Sequence, residues 1–132
     1  METYALELIQ NGKRVDKREF TQFRDIEIKE NIIETAEGSA YVRLGNTQVI
    51  AGVKMGTGIP FPDTPNECIF SVSAEFTPLA SAEFESGPPG ENAIELARVI
   101  DRGIRESKTI ETEKLVITPG EKVWSVFIDI HI

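Results

Sequence analysis

The chain has one cysteine, Cys68, and one histidine, His131, in 132 residues. A single thiol forms no internal disulfide, and a lone imidazole anchors no histidine-rich metal site. A disulfide scaffold and a structural zinc are therefore not expected, and a reducing cytoplasm is. Positive charge is also scarce: 14 Lys and Arg stand against 22 Asp and Glu, for a net charge of −8. That balance argues against non-specific nucleic-acid binding through bulk electrostatics, so any basic site must be local. No apolar run approaches the roughly 20 residues of a membrane-spanning helix. The opening Met1-Glu2-Thr3-Tyr4 puts a carboxylate where a secretory signal carries Lys or Arg. No internal repeat or low-complexity tract is present.

What the chain does have is a core-forming hydrophobic share of 40% with 27% charged residues, the balance of one globular domain or a large piece of one. Residues 3–10 read as a short helix that Asn11-Gly12 ends by supplying a left-handed residue. A charged turn follows over residues 12–18. Strand-like runs cover 24–29, 39–44 and 47–54, the last two joined by Gly45-Asn46, a two-residue hairpin signal. Residues 55–66, with two glycines and three prolines, read as a long loop of the kind that often carries function. Strand character returns at 67–79, and Gly87-Pro88-Pro89-Gly90 precedes the clearest helix, 91–107. Its acidic start suits the positive end of the helix dipole.

Residues 122–132 alternate. Trp124, Val126, Ile128, Ile130 and Ile132 share one face, which makes Trp124 a core residue; Ser125, Phe127, Asp129 and His131 share the other. An apolar strand that stops without a cover reads as a truncated chain, or as a strand completed by another segment.

The 91–107 helix concentrates the chemistry. Ala93, Leu96, Ala97, Val99, Ile100, Gly103 and Ile104 fall on one side. Arg98, Arg102 and Arg105, at i, i+4 and i+7, fall on the other within about one sixth of a turn. Three planar guanidiniums in a row suit a comb for phosphates. They equally suit a solvated face, since Glu91, Glu95, Asp101 and Glu106 lie within ion-pairing reach. Glu83 and Glu85 read as surface acids rather than a catalytic pair. Gly56-Thr57-Gly58 lacks the lysine and the following helix of a phosphate loop. Cys68 reads as a small buried hydrophobe.

The order of motifs is similar to the RNase PH family. It runs Gly12-x-Arg14-x-Asp16-x-Arg18, Phe23-Arg24, Gly38-Ser39-Ala40-x-Val42-x-Leu44-Gly45-x-Thr47, Gly52-Val53-Lys54 and Pro62-Asp63-Thr64-Pro65-Asn66. Phe84-Glu85-x-Gly87-Pro88-Pro89 follows, then the run from Glu91 to Arg102, Ile104-Arg105-Glu106-Ser107, Leu115-Val116-Ile117 and Val123-Trp124. Within that family the chain most resembles the non-catalytic RNase PH-like subunit of the archaeal exosome ring, and residues 1–132 match the N-terminal portion of its single domain.

The resemblance implies an α+β fold of mixed and antiparallel strands packed on helices, with only the first of two similar halves present. It implies a heterodimer with a catalytic RNase PH-like subunit, three such pairs closing a hexameric ring, and cap subunits with RNA-binding domains on one face. Single-stranded RNA would thread the channel and be phosphorolysed from its 3′ end. The phosphate-binding and acidic catalytic residues of active members lie in the second half. This chain would then carry no catalytic residue, cofactor or metal ligand, and would contribute Arg98 and Arg102, with Arg105 as a third, to the RNA path. A catalytic exoribonuclease of the same family and a protein-binding module unrelated to RNA are the competing readings. Two residues depart from the family pattern: Lys17, where a glycine is usual in the turn, and Cys68, where a glycine commonly precedes the strand.

Overall fold

The computed structural model describes residues 2–132. Helix α1 spans Glu2–Gln10 and carries exposed Tyr4, Leu6 and Ile9. It ends as expected. Gly12 takes φ +74°, and the amides of Gly12 and Lys13 donate back to the carbonyls of Ile9 (3.0 Å) and Leu8 (2.8 Å), which satisfies carbonyls that the last turn would otherwise leave open.

The charged turn is held by its own side chains. Arg14 Nη2 donates to the Phe20 carbonyl at 2.7 Å, and Arg18 Nη1 to that of Gln22 at 2.9 Å. Asp16 accepts from Arg18, and that hydrogen bond holds its carboxyl below the usual range. Lys17 sits at φ +66°. The turn keeps the left-handed geometry that favours glycine even though a lysine occupies it.

Among the described residues, six strands form one mixed sheet. They are β1 (Ile26–Glu30), β2 (Gly38–Leu44), β3 (Thr47–Gly58), β4 (Ile69–Glu75), β5 (Val116–Thr118) and β6 (Lys122–His131). The order is β1-β2-β3-β6-β4, with β5 pairing on β6. The β2–β3 hairpin closes Leu44 on Thr47, with Gly45 at φ +62°. All pairings are antiparallel except β4 with β6. A parallel pair requires a crossover, which helix α2 (Glu91–Ser107), the 3-10 turn Thr112–Leu115 and β5 supply. The α+β class is as the motifs implied.

Helix α2 covers one face of the sheet. Ala93 and Ala97 are its buried residues, and their small side chains let the helix approach closely. Two clusters fill the interface. Cys68, Phe70 and Val126 pack with Ile104, Ile110 and Leu115; Ala74, Ala97 and Ile130 pack with Leu96 and Ile100. Cys68 is thus a buried small hydrophobe, its thiol pushed up by desolvation, and its amide donates to the Thr112 carbonyl at 3.0 Å, just ahead of β4.

Four expectations are corrected. Residues 55–58 are not loop: β3 runs to Gly58 because β6 pairs with it that far, Gly58 opposite Val123. At Gly56 an added Cβ would lie 3.0 Å from Ser125 Oγ, and at Gly58 3.1 Å from Ile69 Cδ1, so these glycines admit neighbouring side chains rather than mark a turn. The strand expected at 67–79 is confined to Ile69–Glu75. Trp124 is 39% exposed, because it lies one residue beyond Ser125, where the pairing of β6 with β4 begins. Val99 is exposed as well, and Gly103 with it, so the buried stripe of α2 is narrower than the apolar residues alone implied.

Candidate functional site

The α2 sequence places its buried alanines four residues apart and its arginines roughly a quarter of a turn or more away from them. Arg98 and Arg102 are both exposed. Between this flank of α2 and β4 runs a groove of about 510 Å³. Val72, Ala74 and Ala97 make its apolar lining, while Arg98, Arg102, Asp101 and Ser73 bring polar groups to it. Since β4 pairs only with β6, the groove follows the open edge of the sheet. Ile94, four residues before Arg98, lines it too. The apolar pattern alone did not assign Ile94 to a site, although its i−4 spacing from Arg98 was the available signal.

The three arginines differ in their surroundings. Arg98 makes no ion pair among the described residues, Arg102 donates through Nε to Glu106 Oε1 at 2.8 Å, and Arg105 is bound on three sides. Its Nε meets Asp101 Oδ1 at 2.7 Å, its Nη2 donates to the Phe70 carbonyl at 3.0 Å, and its guanidinium carbon sits 4.9 Å from the Phe70 ring centre. The Asp101 hydrogen bond raises the Arg105 pKa further above its ordinary value. The structure therefore brings Arg98 and Arg102 together on the groove and folds Arg105 back against β4. Two guanidiniums beside an apolar trough can take phosphate oxygens on one side and a base or ribose face on the other.

The remaining candidates lead elsewhere. Glu83 and Glu85 are exposed surface acids. Ser73 Oγ lies 2.5 Å from Asp129 Oδ1, but His131 Nδ1 faces Glu75 Oε2 at 3.5 Å, so these groups do not form a hydroxyl–imidazole–carboxylate relay. No group of three or more His, Cys, Asp or Glu side chains that could hold a metal occurs among the described residues. Among them, too, no helix is long and apolar enough to cross a membrane.

Comparison with known proteins agrees with this frame. Residues 22–132 match the model of the 3′ exoribonuclease family, domain 1 (RNase PH). The protein named "Exosome complex component Rrp42" of Thermococcus kodakarensis is 57% identical over 132 residues, which is 100% of this chain and 48% of that protein. The protein of the same name from Archaeoglobus fulgidus is 59% identical over 128 residues, 97% of this chain and 49% of its own length. The chain thus spans about half the length of the curated relatives it matches. A chain of the structure described as an Archaeoglobus fulgidus exosome with RNA bound to the active site superposes with TM-score 0.93 at 58% identity, over 98% of this chain and 51% of that one. Another, from a structure described as an archaeal exosome core, gives TM-score 0.83 at 51% identity, over 98% of this chain and 48% of that one. The chain belongs to the 3′ exoribonuclease, or RNase PH, family, whose domain 1 it carries.

Proposed function

We propose that residues 1–132 are the N-terminal portion of a single RNase PH-like domain in the non-catalytic subunit of an archaeal exosome ring. The subunit pairs with a catalytic RNase PH-like partner, three pairs close the ring, and RNA-binding cap subunits sit on one face. Its task in the cytoplasm is to structure the partner's active site and to guide single-stranded RNA, 3′ end first, into phosphorolysis. It adds no acid, base or cofactor of its own.

The observation that carries this reading is the placement of Arg98 and Arg102 side by side on the groove along β4. The chain that carries them has a net charge of −8. An acidic surface repels RNA except where guanidiniums stand, so a local pair on such a body guides a strand rather than merely attracting it. Arg105 is the third arginine of the row, and its contribution is taken up below. The likeness to proteins named exosome components supports the assembly part of the reading.

The test uses the full-length subunit and its partner, alone and mixed, on 5′-labelled single-stranded RNA with phosphate and magnesium. The subunit alone should release no nucleoside diphosphate, and adding it should accelerate release by the partner. Diphosphate release by the purified subunit alone would favour a catalytic exoribonuclease instead. A ring that assembles with it but binds no RNA would favour a protein-binding module.

A further inference from the structure

Arg105 and Arg98 compete, by position, for one carboxylate. Asp101 lies three residues after Arg98 and four before Arg105, so both are helical neighbours that can pair with it. Arg105 takes it: Nε meets Asp101 Oδ1 at 2.7 Å and Nη2 approaches Oδ2 at 3.4 Å. Arg98, on the same groove as Asp101, makes no ion pair among the described residues.

What decides the competition is β4. The open edge of this strand presents the Phe70 carbonyl, which Arg105 Nη2 reaches at 3.0 Å, and the Phe70 ring lies 4.9 Å under the guanidinium. Phe70 itself is buried in the core. The planar fork of an arginine can serve a carboxylate and a carbonyl at once while stacking on a ring. Among the described residues Arg98 has no such anchor. Arg105 is thus tied to the sheet and Asp101 to Arg105.

We infer that Arg105 is a positioning residue: it ties the Asp101 carboxylate against β4, and so leaves Arg98 free to take an RNA phosphate. This rests on the RNA-guiding reading above. It assigns Arg105 a different part from its two neighbours, since its effect on RNA passes through Arg98. Without Arg105, Asp101 would turn to Arg98 and mask it. An exposed pair of this kind is worth about 0.2–1 kcal/mol, which as competition corresponds to roughly a one-and-a-half- to fivefold loss of affinity.

The experiment is a set of substitutions in the full-length subunit, assembled with its partner, with single-stranded RNA binding measured below the melting transition. Arg105→Gln should weaken binding by that factor. Adding Asp101→Asn to Arg105→Gln should restore it further than Asp101→Asn improves the parent. In an Arg98→Gln background, Arg105→Gln should cost nothing more. Should Arg105→Gln fail to assemble, Arg105→Met, which keeps an apolar stem over Phe70 but cannot pair with Asp101, carries the same comparison.

If losses at Arg98 and Arg105 simply add, and Asp101→Asn gives no extra rescue, Arg105 contacts RNA itself and the inference is wrong. If Arg98→Gln weakens binding but the Arg105 variant does not, the RNA reading stands and the positioning role falls. If neither changes binding, the RNA reading fails and this inference goes with it.

Discussion

Glu106 holds Arg102: the Arg102 Nε meets Glu106 Oε1 at 2.8 Å, one helical turn on, with both side chains exposed to solvent. Such an i,i+4 pair contributes only about 0.3–0.5 kcal/mol to a helix, so its effect on stability is small. Its effect on RNA need not be, because the carboxylate occupies the Nε donor and offsets the charge that a phosphate would meet at Arg102. Glu106→Gln in the assembled ring should therefore tighten single-stranded RNA binding, by roughly twofold at low salt if the pair is worth that much, with a melting temperature close to the parent. Weaker binding after Glu106→Gln would mean that the pair presents Arg102 rather than restrains it.

A second prediction concerns the charged turn. Lys17 occupies φ +66°, a conformation that costs an L-residue with a side chain about 1–2 kcal/mol. Glycine removes that cost but gives the unfolded chain more freedom, which returns roughly 0.4–1 kcal/mol. Lys17→Gly in the full-length protein should thus be neutral to stabilising, by up to about 1.5 kcal/mol in denaturant titrations. A clear destabilisation would show that the lysine side chain makes a contribution exceeding the backbone strain.

Much of this was legible in the residues. Helix α2 has the same bounds in the structure as in the pattern, because a proline–glycine breaker, an acidic first turn and a 3.6-residue apolar period all agree there. Lys17 was marked by its departure from the family's glycine, and the backbone explains why glycine is usual. Gly56 and Gly58 misled because a glycine signals a turn and a close approach with the same letter, and only the partner strand, with Ser125 beside Gly56, tells them apart. Arg105 likewise looked like the other two arginines, since a helical wheel gives its direction but not the Phe70 carbonyl that captures it. Which strand is the open edge, and therefore where the groove runs, follows from pairings far apart in sequence.

A third prediction follows from Glu37. Its carboxylate accepts the Met55 amide at 3.1 Å, and this hydrogen bond, aided by the charge of Lys54, lowers its pKa. A carboxyl whose folded pKa is depressed stabilises the fold above its unfolded value and loses that contribution as pH falls through the folded one. The stability gap between the parent and Glu37→Gln should therefore be widest near neutral pH and should close as pH drops below about 4. Melting curves from pH 7 down to pH 3 would measure it. A gap that is constant across that range would show that the charge of the Glu37 carboxylate adds nothing to the Met55 contact.

The central claim, that Arg98 and Arg102 guide RNA, is tested most directly by reversing both charges in a ring built with the full-length subunit. RNA affinity and single-turnover decay would be followed across a salt series, with a sizing check on the assembly. Neither arginine is part of the buried stripe of α2, so the ring should form. Losing two phosphate contacts should weaken binding and flatten the log–log salt dependence by roughly 1.4 units for single-stranded RNA. Arg98→Glu/Arg102→Glu should hurt more than the double alanine, since it adds repulsion to a surface already acidic. An intact ring with unchanged affinity, decay rate and salt slope would contradict the account and reduce the two arginines to a solvated helix face.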